Sequence, residues 1–182
     1  MQEIYGRRMP VAHFLKCRRI REGFVQFQLN DRVPACYLWG TDGKPRGVEV
    51  TIAQGRARYH LANELVKNGT GRGFTELQDD DSAENFVKTF QEEPAGYTTD
   101  IALASTTKAI RLCLSKKNDG KYDGMDLLIQ GPLNVMTLPR ERWTAIKDDL
   151  IAAAKDMPFR EIYVIGDSSR RPICFQIKRG NR

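Results

Sequence analysis

The stretch that decides the fold is Arg32-Val33-Pro34-Ala35-Cys36-Tyr37-Leu38-Trp39, followed after a short turn by Gly47-Val48-Glu49-Val50-Thr51. Two apolar runs flank Thr41-Asp42-Gly43-Lys44-Pro45-Arg46, which is rich in turn residues, so the pair predicts a β-hairpin over 33–39 and 47–53. Glu49 stands between two valines. A carboxylate in an apolar strand is costly to bury unless it is paired or holds a metal; otherwise it must face water on a half-exposed strand. The period of two places Glu49 and Thr51 on one face and Val48 and Val50 on the other.

Outward from the hairpin, elements follow in regular order. Residues 8–22 predict a helix ended by Gly23, and Phe24–Leu29 alternates as a strand leading to a turn at Asn30-Asp31. A helix is expected over 56–68, closed by Asn68-Gly69. An exposed Gly- and Asp-rich loop fills 69–81, and a short helix over 82–91 has Ser82 as its N-cap. Thr98 or Thr99 caps a helix running to about Lys117, with Ile101, Ala104, Ile110 and Leu114 on its apolar side, and Asn118-Asp119-Gly120 stops it. Asp126–Gln130 reads as a buried strand of the parallel-sheet type. Leu138-Pro139-Arg140-Glu141 opens a helix with Trp143, Ile146, Leu150 and Ile151 on its apolar face. Arg160–Ile165 is a second buried strand, and Ile173–Ile177 a last one after a turn at Ser168-Ser169. Strands alternating with helices imply an α/β fold with a mixed central sheet flanked by helices.

This hairpin and the order of elements around it resemble the PD-(D/E)xK nuclease superfamily, the restriction-endonuclease-like fold. In that family a Pro-Asp at the start of one strand and an acid in the next bind the catalytic metal, and a lysine usually follows the acid by two positions. Here Pro34 matches the proline and Glu49 the second acid. Ala35 stands where the metal-binding Asp is expected, and Thr51 holds the lysine position. The Gly-Val-Glu-Val-Thr strand is similar to a branch in which the lysine has moved to a later helix that leads through a Lys/Tyr turn into a Leu-Leu-Ile strand. Ser115-Lys116-Lys117-Asn118, Lys121-Tyr122 and Asp126-Leu127-Leu128-Ile129 follow that pattern. The resemblance covers roughly 10–166.

It implies a Mg²⁺- or Mn²⁺-dependent endonuclease that hydrolyses phosphodiesters in DNA. Glu49 would ligate the metal with position 35, and Lys117 or Lys116 would stabilise charge on the phosphate. The counter-reading of the lysines is complementation of a helix C-terminus, worth about 0.3–1 kcal/mol each. Loss of the Asp at 35 implies impaired cleavage, either in a natural pseudo-nuclease or through an engineered substitution. The alternative is a non-catalytic nucleic-acid-binding or regulatory module on the same fold, and a third reading is a protein-interaction factor.

Composition bounds the remaining choices. The 182 residues suit one domain, 41% hydrophobic and 29% charged, with a core of about 10–166 and a basic tail at 178–182. No apolar run reaches the ~20 residues of a membrane span, and the N-terminal residues lack the apolar core of a signal peptide. The cysteines at 17, 36, 113 and 174 are scattered without a Cys-x-x-Cys pair, which argues for small buried hydrophobes in a reducing cytoplasm rather than zinc. Net charge is +6 with a pI near 9.2, which favours an anionic partner. Arg18, Arg19 and Arg21, then Arg56 and Arg58, then Arg72 are the candidate phosphate contacts; solvated helix faces are their plain alternative. A homodimer stays open.

Three other patterns carry less. His13 and His60 lie in helical stretches with no triad arrangement. Gly69–Gly73 lacks the Lys-Ser/Thr of a phosphate-binding loop. Asp167 with Gln176-Ile177-Lys178 mimics a second Asp…Gln-x-Lys set, but too little chain follows it for the crossover that the superfamily needs.

Overall fold

A computed structural model describes the backbone of residues 2–28, 32–133, 140–166 and 173–180, and the side chains of these except 2–7, 140–143 and 145. The expected turns at Asn30-Asp31 and Ser168-Ser169, the helix opening at Leu138-Pro139, the Trp143 side chain, Asp167 and the last two residues of the tail lie outside the described residues.

The chain order is α1 (Gln2–Cys17), β1 (Phe24–Phe27), β2 (Cys36–Trp39), β3 (Pro45–Ile52), α2 (Gly55–Asn68), α3 (Ala83–Gln91), α4 (Thr99–Lys116), a 3₁₀ turn (Gly120–Tyr122), β4 (Asp126–Gly131), α5 (Arg140–Ala154), β5 (Glu161–Gly166) and β6 (Cys174–Lys178). The six strands form one sheet in sequence order. The first three are antiparallel, β3–β4 and β4–β5 are parallel, and β6 returns antiparallel to β5. The expected mixed sheet flanked by helices is what forms.

Strand alternation divides the core between two layers. Val48, Val50, Leu128, Tyr163 and Ile165 join Val11 and Phe14 of α1 on one side. Leu127, Ile129, Ile162 and Val164 join Leu103, Ile110 and Leu114 of α4 and Leu150 of α5 on the other. β4 is buried at every position, because helices cover both faces. Each fully buried Leu or Ile there contributes about 1.5–3 kcal/mol.

Several expectations need correction. The first helix spans 2–17 rather than 8–22. It ends in a Schellman motif: Ile20 N–H donates to Leu15 O, Arg19 N–H donates to Lys16 O, and Arg19 takes the left-handed position with φ 54°. Glycine normally signals that position, so an arginine there concealed the stop. Gly23 is needed for another reason. Its φ is +117°, and a Cβ would sit 2.1 Å from Trp39 O.

Along α4, Ile101 is 38% exposed and Ala104 is exposed. Ile110 and Leu114 are buried as expected, and the rest of the buried face runs through Leu103 and through Ala102, Ser105, Thr106, Ala109 and Cys113, small residues that let the helix approach the sheet and that an apolar count undervalues. Ile151 of α5 is likewise 40% exposed. The loop 69–81 is not exposed throughout, since Leu77 and Gln78 are buried. Asp79 explains why: its carboxylate accepts the N–H groups of Gly55 and Arg56 and caps α2 from 24 residues further on. The caps Ser82 and Thr98 form as expected.

Candidate functional site

β3 alternates as its sequence requires. Val48 and Val50 enter the α1-side layer, whereas Thr51 Oγ1 donates toward Cys113 Sγ of α4 at 3.7 Å. Glu49 shares that second face and is 5% exposed. Its Oε2 accepts the backbone N–H of Ala35 at 3.1 Å, and its Oε1 accepts Lys117 Nζ at 2.6 Å. Positions 35, 49 and 117, from the start of β2, the middle of β3 and the end of α4, therefore meet at one carboxylate. Lys116 is exposed, and of the two lysine candidates it is Lys117 that meets Glu49.

Local structure holds the ammonium in place. Lys117 is the C-cap of α4, its N–H directed at the last carbonyls of the helix. Its Nζ also donates to Tyr122 Oη at 3.2 Å. The Tyr122 ring stacks on Phe159 and lies 5.0 Å from both Lys117 Nζ and Lys121 Nζ. Burial pulls the Lys117 pKa down, and the hydrogen bond and charge of Glu49 more than offset it, leaving the group above the usual lysine value. Burial first and then the Glu49 charge push the neighbouring Cys36 thiol up to about 12, and burial raises Cys113 as well. Both stay protonated, as inert small hydrophobes should.

The residues present do not fit a divalent cation. Both Glu49 oxygens already accept hydrogen bonds, and Ala35 offers no side-chain donor atom. No group of three His, Cys, Asp or Glu side chains among the described residues could hold a metal. Magnesium wants near-octahedral oxygen and is usually held through one or two carboxylates together with substrate phosphate.

The arginines separate by layer. Arg18 lies 5.5 Å over the Tyr163 ring and Arg19 and Arg21 are exposed, all on the α1 side, across the sheet from Glu49. Arg56 lies 3.8 Å over Phe86 and donates to Asp81 O, and Arg58 is half-buried. Arg72, the third candidate phosphate contact, is engaged within the fold. Its side chain is only 7% exposed, pairs with Glu64 at 3.0 Å and donates to the carbonyls of Thr89 and Glu92. A Gly-Thr-Gly-Arg-Gly sequence gives no hint of that structural role.

Sequence reasoning also missed the bidentate pair of Arg160 with Asp126, at 3.0 and 2.6 Å, and the Asp79 cap. Asp126 opens a strand that is mostly apolar and Arg160 immediately precedes another, which is the one signal that could have marked the pair.

Comparison with protein-family models, with curated proteins and with solved structures finds no match to this chain. No described helix is long and apolar enough to cross a membrane.

Proposed function

We propose that this chain is a restriction-endonuclease-like domain that acts on DNA and whose cleavage chemistry is impaired at position 35. The observation that carries this reading is the convergence of position 35, Glu49 and Lys117 on one buried carboxylate, with separations in sequence of 14 and 68 residues. Those are the three positions at which the resemblance expects an acid, an acid and a lysine. The order of helix, three antiparallel strands, three helices and parallel strand, the last of those helices ending at the Glu49 carboxylate, supports it. The net charge of +6 supports an anionic partner.

As written, the Glu49–Lys117 pair is charge-neutral. It leaves an ammonium, partly open to solvent, that can contact a phosphate without a nucleophile being generated. The chain therefore holds nucleic acid without cutting it efficiently.

The test is Ala35→Asp. A second carboxylate at position 35, whose backbone already touches Glu49, should create a Mg²⁺ or Mn²⁺ site detectable by calorimetry, raise the melting temperature on adding metal, and give metal-dependent plasmid nicking that Glu49→Ala abolishes. A variant that binds no metal and cuts neither DNA nor RNA would reduce the hairpin to a structural echo of the nuclease fold.

A further inference from the structure

All four cysteines are thiols, and two of them meet. Cys36 and Cys113 are buried apart, one in each core layer. Cys17 and Cys174 are half-buried and come together from opposite ends of the chain. Cys17 is the last residue of α1, and Cys174 is the first of β6, an edge strand of the sheet.

The fold brings them together. Along β6, Phe175 and Ile177 enter the layer under α4 and α5, so alternation turns Cys174 into the α1-side layer, beside Ile165 of β5. On α1, Val11 and Phe14 enter that same layer, and Cys17 follows Phe14 by one helical turn on the face that meets the sheet. The two thiols consequently stand in side-chain hydrogen-bonding contact, with Arg18 near enough to act on Cys174 electrostatically. A disulfide draws its sulfurs closer than two thiols in contact stand. Here that movement falls to a helix end and an edge strand, the parts of a fold that open most readily.

We infer that Cys17 and Cys174 are a site of reversible oxidation, taking a small hydroperoxide as oxidant and forming a disulfide that ties the end of α1 to β6. In the first step one sulfur, as its thiolate, attacks the terminal oxygen of the hydroperoxide. The O–O bond breaks, the sulfur becomes a sulfenic acid, and the alcohol leaves with the thiol proton, or water leaves when the oxidant is hydrogen peroxide. In the second step the other thiol attacks that sulfur. The S–S bond forms, the S–O bond breaks, and the hydroxide leaves with the second proton as water. The two thiols give up two electrons in all, and the hydroperoxide takes them. A dithiol reverses the bond by exchange. Burial first and then the neighbouring Cys17 push the Cys174 thiol up to about 12, which gives the first attack to Cys17 and the second to Cys174. The inference is independent of the chemistry at position 35, and failure of the nuclease-like reading leaves it intact.

The experiment treats the full, reduced chain with hydrogen peroxide, then alkylates it and maps its peptides by mass without reductant. One intramolecular Cys17–Cys174 peptide pair should appear, two hydrogens lighter than the two reduced peptides together, with Cys36 and Cys113 still thiols. The oxidised chain should melt about 5 °C or more above the reduced one, because a cross-link that closes nearly the whole chain restricts its unfolded state. Dithiothreitol should restore the lower value, and Cys174→Ser should abolish the shift. Comparing the oxidised and reduced forms of the unaltered chain needs no variant to fold. A treated chain with no Cys17–Cys174 link, a link that joins two molecules or other cysteines, a linked chain that melts no higher, or a Cys174→Ser chain that keeps the shift overturns the inference.

Discussion

The two faces of the sheet concentrate their polar chemistry in opposite ways. On the α4 side, a single carboxylate is 5% exposed and fully matched, by one backbone N–H and one ammonium. On the α1 side, arginines and carboxylates rim an open cleft in which only part of the charge is paired. The first arrangement is closed, and any loss leaves a desolvated charge behind. The second is open, and water can replace what a substitution removes. The same residue types therefore carry stability on one face and remain available for recognition on the other.

The largest effect should come from breaking the closed side. Lys117→Met leaves Glu49 as an uncompensated buried carboxylate, and chemical denaturation should show a loss of about 3–5 kcal/mol, against less than half of that for Glu49→Gln/Lys117→Met. If the single and double variants are equally unstable, the pair is not matched in the way described.

The same pair has a pH signature. Because the folded-state pKa of Lys117 lies above its unfolded value, its stabilisation is fully present below about pH 10.5 and is lost as pH rises through the folded value. Melting curves of the unaltered chain should lose stability in that alkaline range more than those of Lys117→Met, and parallel curves would break the assignment.

Next in size is Gly23→Ala, which puts a methyl group against Trp39 O in a left-handed backbone. It should cost about 2 kcal/mol and disturb the cleft while leaving the Glu49 side intact. A melting temperature within 1–2 °C of the unaltered chain, where 1 kcal/mol is worth about 2–4 °C, would show that the segment 18–23 yields.

The smallest effect should be a gain. Arg19→Gly relieves a non-glycine left-handed residue and should stabilise by up to about 1 kcal/mol in chemical denaturation; an unchanged or lowered stability would show that the Arg19 side chain contributes more than its backbone costs.

Legibility in the sequence followed the range of the interactions. The hairpin, the parity of β3 and the mostly apolar β4 were readable because they depend on neighbours close in sequence. The meeting of Glu49 and Lys117 follows from the order of elements, in which the helices between β3 and β4 return the end of α4 to β3. What escaped depended on distant partners or on residues in unaccustomed roles. Arg19 ends a helix where glycine would, Asp79 caps one it does not precede, and Arg72 crosslinks a loop to Glu64 and to the end of α3. Trp39 and Phe24 looked like ordinary strand residues until the register placed them side by side on an edge.

The Asp79 cap has a further consequence for how the region between β3 and β4 moves. The N–H groups of Gly55 and Arg56 belong to the first turn of α2, whose amides ordinarily exchange with solvent as soon as the helix end frays. Here they are tied to a carboxylate contributed by the segment 75–81. Their deuterium uptake thus times the undocking of that segment. Two slow amides at the start of an otherwise fraying helix form a clock for motion 24 residues away along the chain.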